Sequence, residues 1–274
     1  MRDLGAIYIL WYRDVLRYWR DKMRILSSLT FPLIFLLIFG GGLSGAMGPL
    51  AQGVNYAQFI FPGIIGMTVL MTSFMSGLSV VWDREFGFLK EVLVAPISRR
   101  AVVAGKVLGG ATVAMVQGTL MLIFAPFIGV ALSPGLLLAL WPMMFLVACA
   151  ISGLGILIAS HMKSVEGFQA VTQMLVMPMI FLSGVFFPVG NLPSWMDLLV
   201  KINPVTYGVD AIRQLFMNLP GPIALGQAQD IAGGHIFRLS LWGHPMSLLE
   251  DVAVVAAFGV VVILLAARGL SAQE

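Results

Sequence analysis

Four long stretches of this 274-residue chain contain no Asp, Glu, Lys or Arg: residues 25–82, 107–162, 167–196 and 252–267. No other feature restricts the fold so strongly. About a quarter of the residues in an ordinary soluble domain are charged, whereas here 11% are charged and 59% are apolar. A surface of that composition cannot face water, which excludes a soluble enzyme, a nucleic-acid-binding module and a disordered regulator. About 20 apolar residues cross the hydrocarbon as a helix. The first two stretches each have room for two crossings, and the last two for one each with flanking help. The expectation is an all-α integral membrane protein with six transmembrane helices, near residues 25–45, 57–82, 103–130, 136–160, 167–187 and 249–268.

The 16 basic and 13 acidic residues all fall outside the four charge-free stretches, and Lys and Arg beside span ends mark the cytoplasmic side. Arg2, Arg13, Arg17, Arg20, Lys22 and Arg24 precede span one. Arg84, Lys90, Arg99, Arg100 and Lys106 separate spans two and three, and Lys163 and Arg268 follow spans four and six. Both termini are therefore expected inside, with residues 83–101 a cytoplasmic loop and 187–248 an extracytoplasmic segment. Within residues 1–24, Arg13, Arg17, Arg20 and Arg24 share one helical face, and Leu4, Ile7, Tyr8, Trp11, Val15, Tyr18 and Trp19 spread over the other. That pattern predicts an amphipathic interfacial elbow helix ahead of a transmembrane domain, residues 25–274.

Two polar segments stand out. In the cytoplasmic loop, Phe86, Leu89 and Leu93 recur at helical spacing between Glu85, Lys90 and Glu91, and Pro96 stops the helix they imply. Ser98 is placed to cap the next helix. A loop needed only for reversal would be shorter and unpatterned, so this one reads as a docking surface for a cytoplasmic partner. In the outer segment Phe186, Phe187 and Pro188, then Pro193 and Trp195, then Asn203, Pro204 and Tyr207 alternate breakers with aromatics. Short broken helices are expected there, lining or closing the outer end of a pathway. Trp195 and Tyr207 suit the outer interface. Asp210 and Arg213, three residues apart, are expected to pair.

These residues resemble the ABC-2 type permease subunits of bacterial and archaeal ATP-driven exporters, close to the daunorubicin-resistance and nodulation-export branch. The stretch Arg84-Glu85-Phe86-Gly87-Phe88-Leu89-Lys90-Glu91 through Pro96-Ile97-Ser98-Arg99 is similar to that branch's loop pattern, although many relatives carry Thr at the place of Phe88 and an acid at Lys90. Leu182-Ser183-Gly184, Phe187-Pro188, Leu192-Pro193, Trp195, Asn203-Pro204, Thr206-Tyr207, Asp210 and Arg213 are similar to its signature after span five. The resemblance covers nearly the whole chain. It implies a multi-pass protein of the cytoplasmic membrane, a second permease copy, and separate ATPase subunits that carry ATP and Mg. It further implies that Arg84, Glu85, Phe86, Gly87, Phe88, Leu89, Lys90, Glu91, Leu93 and Pro96 form a coupling helix in a groove of the ATPase. Lys163 and Ser164 would add a second contact, and Phe187 through Arg213 an outer gate.

The residues agree that ATP is hydrolysed elsewhere, since a phosphate-binding loop needs Gly-Lys-Ser/Thr and the one Gly-Lys here, Gly105-Lys106, precedes Val107. His161, His235 and His244 fall on opposite sides of the membrane, so no three-ligand metal centre is expected from them. Cys149 is alone and predicted within a span. Asp230, His235, His244, Glu250 and Asp251 read as a solvated outer loop. Met67, Met71, Phe74, Met75, Gln117, Gln169, Gln173 and Met177 are the expected wall of a pathway for hydrophobic or amphipathic cargo, such as a drug-like molecule, a lipid or a lipid-linked glycan. The alternative reading, an ion-gradient-coupled secondary transporter, asks for a charged group at mid-span. No such group is visible at mid-span in the sequence.

Overall fold

The computed structural model describes residues 2–42, 56–87, 97–130, 132–189, 192–218, 239–241 and 244–271. An amphipathic helix α1 (Arg2–Arg20) stops at Asp21, whose carboxylate caps α2 (Lys22–Phe35) by accepting from Arg24 N at 3.0 Å. The elbow is thus four residues shorter than expected, and Arg24 belongs to the first span. That span ends in a π-helical turn, Leu36–Gly42.

The second span is broken into α3 (Tyr56–Phe74) and α4 (Ser76–Glu85). α5 (Arg99–Leu122) starts on the predicted cap, with Ser98 Oγ accepting from Ala101 N at 3.2 Å. It ends well short of residue 130, because Pro126 cannot donate to a continuing helix. A 3-10 turn, Ala125–Ile128, replaces the missing length. α6 (Pro134–His161) and α7 (Val165–Phe181) likewise begin on serines, Ser133 and Ser164. Two short helices follow, α8 (Ser194–Ile202) and α9 (Pro204–Asn218), then a two-stranded ribbon, Ser240–Leu241 with His244–Pro245. The final span, α10 (Leu248–Ser271), opens on a capping box in which Glu250 accepts from Ser247 N at 2.7 Å.

Five helices among the described residues are long and apolar enough to cross a membrane, and α7 is an apolar helix of 17 residues. At 1.5 Å per residue α7 spans about 25 Å, the lower limit for a crossing. The fold is the all-α membrane architecture expected, with a shortened fifth span.

Packing is set by small residues. A Cβ on Gly155 of α6 would run into the Phe74 carbonyl at the α3–α4 break, and one on Gly77 would run into the backbone of Gly155. The broken span is therefore seated backbone to backbone on α6, the close approach that glycine permits in lipid. α1 lies against α5 in the same way: a Cβ on Gly105 would sit 2.9 Å from Leu10 Cβ. Trp11 secures the contact, its indole N–H donating to Thr112 Oγ1 at 2.9 Å. Gly269 near the end of α10 abuts Ser160 and His161. Arg84 of α4 donates to the carbonyls of Ser160 and Met162. The elbow, the end of α4, the end of α6 and the end of α10 thus share one face of the bundle.

Candidate functional site

On the elbow face, Asp83 near the end of α4 accepts from Lys106 Nζ at 2.6 Å and from Arg13 at 2.7 Å. Asp14 completes the cluster, 3.4 Å from Lys106 and 3.2 Å from Arg13. The Lys106 side chain is 2% exposed and also donates to Ser79 Oγ. Two cations balance two carboxylates, which is what makes a buried charged cluster tolerable. The sequence reading placed Arg13 on an outward arginine face and Lys106 among loop charges. The structure turns both inward, because the carboxylates they neutralise are buried. Isolated charge amid Val102, Val103, Val107 and Leu108 was the available signal for Lys106.

Beside this cluster lies a cavity of about 370 Å³ between α1, α2, α3, α4, α5 and α7. Arg24 and Tyr18 stand at the elbow end, Phe31 and Pro32 lie two turns further along α2, and Met71, Phe74 and Val176 add apolar wall. Between them Gln117 bonds Thr72 and Ser28. Of the residues expected to wall a pathway, Met71, Phe74, Met75 and Gln117 line this cavity. Met67 is fully buried away from it. Gln169, Gln173 and Met177 lie on the exposed side of α7, since Phe168, Thr172, Val176 and Ile180 form its buried stripe. α7 is apolar nearly all round, so its sequence does not reveal which face turns inward.

One turn beyond the cavity, along both α2 and α7, the rings of Phe35, Phe39 and Phe181 converge on Phe186, with centroids 5.2, 5.5 and 5.3 Å away. Phe186 follows Gly184, whose φ of +75° turns the chain back after α7. The returning strand buries Val185 against Gly63 of α3. Its unpaired carbonyls are met one by one: Tyr56 donates to Phe186 O at 2.6 Å, Arg213 to Gly184 O at 2.6 Å, Asn203 to Met179 O at 2.7 Å and Thr206 to Leu182 O at 3.3 Å. Irregular backbone inside a membrane protein survives where it is paired in this way. Phe186, not Phe187, is the aromatic centre of this plug.

The other residues of the segment after α7 divide as follows. Phe187 and Pro188 are half-buried in the plug, Pro193 and Pro204 open α8 and α9, and Trp195 is exposed as expected. Tyr207 is buried, not interfacial, and donates to Lys201 O at 2.7 Å. Asp210 and Arg213 do not form the expected ion pair. Arg213 turns to the Gly184 carbonyl and lies 4.5 Å over the Phe59 ring, where an orphan carbonyl offers a fixed acceptor. Asp210 instead accepts from Gln214 at 2.9 Å, and the same amide donates to Asp251 at 2.7 Å. Asp251 is buried and joins α10 to α9, contrary to its reading as part of a solvated loop. Asp230 and His235 lie outside the described residues, and no group of three metal-ligating side chains gathers among the described residues.

At the end of α4, Arg84 points to its own chain, as above, while Glu85 and Phe86 are exposed and Gly87 adopts φ +80°. Phe88, Leu89, Lys90, Glu91, Leu93 and Pro96 lie outside the described residues. Lys163 is exposed, and Ser164 caps α7 by accepting from Gly167 N.

The chain matches the ABC-2 type transporter family over residues 5–217. It is 30% identical over 216 residues to ycf38 of Cyanophora paradoxa, named as a transport permease, covering 78% of this chain and 74% of that one. It is 27% identical over 225 residues to the inner membrane transport permease YadH of Escherichia coli, covering 78% and 84%. It is 28% identical over 214 residues to nodulation protein J of Rhizobium meliloti, covering 77% and 81%. With a match that runs from the elbow α1 into α9, the chain belongs to the ABC-2 type transporter family and is a multi-pass transmembrane subunit of an ABC transporter.

Proposed function

We propose that this subunit exports an amphipathic cargo from the cytoplasm, driven by ATP hydrolysed on separate nucleotide-binding subunits docked at the elbow face. The observation that carries the reading is the position of Asp83 and Arg84. They are adjacent in sequence, yet one binds the elbow and α5 while the other binds the end of α6. A push on the loop that starts at Glu85 therefore reaches three elements at once. The arginine-rich elbow supports a cytoplasmic placement of this face and of both termini. Lys106, within the chain's one Gly-Lys pair, is held in a buried ion cluster and presents no phosphate cradle.

A second copy of the chain completes the pathway in this reading. The side of α7 carrying Gln169, Gln173 and Met174 is exposed, as are Leu26 and Ile34 on α2 and Leu37 in the π-helical turn that follows. Two amides on a membrane helix call for hydrogen-bond partners, which a copy facing them supplies. Rocking of such a pair between inward-open and outward-open states is a rigid-body transition, with the Phe186 plug as the part that opens outward.

The test is purification of the chain with and without a co-expressed ATPase subunit. Stable co-purification and cargo-stimulated ATP hydrolysis are expected. Replacing Glu85, Leu89 and Glu91 together should uncouple hydrolysis from transport without impairing insertion. Transport driven by an ion gradient without ATP would overturn the reading.

A further inference from the structure

We propose that the cavity beneath the elbow is a binding site for an amphiphile with an anionic head, entered at headgroup depth from the leaflet on the elbow side. The first support is charge. Asp14 and Asp83 are already matched by Arg13 and Lys106. Arg24 lines the cavity, and Arg17 lines a small cleft that adjoins its elbow end and shares Tyr18, Arg24, Leu78 and Trp82 with it; among the described residues neither arginine has a carboxylate within ion-pair distance. Arg17 is held there over the Trp82 ring, 4.6 Å from its centroid. The elbow end thus carries two cations that no carboxylate among the described residues pairs, since Asp14, on the wall of the adjoining cleft, is taken by Arg13 and Lys106.

The second support is the Tyr18 hydroxyl. Tyr18 is 3% exposed and lines the cavity, and its oxygen lies beside Gln117 and Ser28 without a well-formed hydrogen bond to either. A buried hydroxyl left so is expected to have a partner that enters from outside the chain. The third support is the order of the lining. Along α2 it passes from Arg24 through Ser28 to Phe31 and Pro32, a depth of about 12 Å. That gradient matches a charged head, a polar linkage and an apolar tail. The cavity of about 370 Å³ falls within the usual ~300–1,000 Å³ of small-ligand sites. Tyr8, Tyr12 and Trp19, exposed on the same elbow, are the residue types that settle at headgroup depth.

Such an amphiphile is either a resident membrane lipid or the exported cargo. The assignment as cargo rests on the export reading; the binding does not. The experiment uses the full chain in nanodiscs of equal phosphatidylglycerol and phosphatidylcholine with matched acyl chains, with retained lipids counted by native mass spectrometry. Preferential retention of phosphatidylglycerol is expected. R17Q and R24Q should each lower the preference about fivefold, and the double variant should remove it. R20Q, on the same helix but off the cavity wall, should leave it unchanged. V113F, which fills the cavity, should abolish retention of either lipid there.

A preference that survives the double variant, or retention unchanged by V113F, would overturn the site. Both arginines are at the surface end of the cavity, so the double variant decides even where V113F folds poorly. With the ATPase subunit present, turnover that depletes the bound lipid assigns it as cargo. Occupancy untouched by turnover keeps the site and assigns a resident lipid. Intact binding without ATP-driven transport counts against the export reading alone.

Discussion

Replacing Asp83 with Asn tests whether the elbow is locked to the core by charge. Asn keeps the shape of the side chain but removes one of two negative charges from the cluster, leaving Lys106 and Arg13 facing Asp14 alone. Removing one partner of a buried ion pair costs about 3–5 kcal/mol. Arg13 is 31% exposed at its side chain, and Asp14 remains 3.4 Å from Lys106, so the lower end, about 3 kcal/mol, applies. Because α1 is held to α5 chiefly through this cluster, the Trp11–Thr112 bond and the seat at Gly105, the loss falls on local opening of the elbow. At ~1.4 kcal/mol per tenfold change, amide exchange over residues 2–20 should accelerate roughly a hundredfold, while α6 and α10 exchange unchanged. The assay is hydrogen exchange by mass spectrometry in nanodiscs. Adding Lys106→Met to the variant should restore most of the protection, since it removes the uncompensated buried cation and leaves Arg13 and Asp14 as a balanced pair. Elbow exchange within threefold of the parent, or effects of the two substitutions that simply add, would refute the argument.

Three further outcomes follow from the geometry. Gly155→Val should abolish folded protein, because even its Cβ meets the Phe74 backbone, which cannot retreat; detergent-stable yield measured by fluorescence size-exclusion chromatography checks this. Arg213→Met should destabilise the plug by about 1–3 kcal/mol by orphaning the Gly184 carbonyl, seen as lower thermal stability and increased labelling of a cysteine placed at Phe186. Asp3, whose carboxylate accepts from Ser98 N at 3.0 Å, is held below the usual carboxylate range by that backbone hydrogen bond. A lowered folded pKa means the tether is in place above the ordinary carboxylate pKa and is lost as pH falls through the folded value, so exchange at the start of α5 should rise in acid, and Asp3→Asn should remove the pH dependence.

The spans were legible because their signal is local: each charge-free run is long enough to count, and Ser98, Ser133 and Ser164 cap the helices that follow them. The break at Asp21 and the stop before Pro126 are also local, and only their exact places were missed. What the sequence withheld is long-range. Arg13, Asp83 and Lys106 are distant in the chain, and no spacing rule says that they meet. The inward face of α7 was equally hidden, since lipid and cavity both prefer apolar side chains and the helix shows little contrast between its sides. Asp210 and Arg213 show the opposite error. Their spacing favoured a pair, but the carbonyl freed by the turn at Gly184, invisible in sequence, was the better partner for arginine.

The same contacts bear on how a stroke at the loop would reach the cavity. Trp82 and Leu78 line the cavity from α4, and the next two residues, Asp83 and Arg84, carry the ties to the elbow and to α6. α4 is separated from α3 by the break at Met75, so it has a hinge at its far end and two tethers at its near end. Under the proposed coupling, tilting α4 moves Trp82 and, through Asp83, draws α1 with Arg17 and Tyr18 in the same direction. The opposite wall, Thr172 and Val176 of α7, is anchored by neither tether. The cavity would thus widen or close between α4 and α7 while its arginine end moves as one body. A cross-link between cysteines at Leu78 and Val176 should therefore block transport while leaving ATPase docking intact, whereas a short bifunctional linker between cysteines at Trp11 and Thr112, which already touch inside the moving body, should be tolerated. Equal inhibition by both cross-links would rule out motion of α4 and the elbow as a unit.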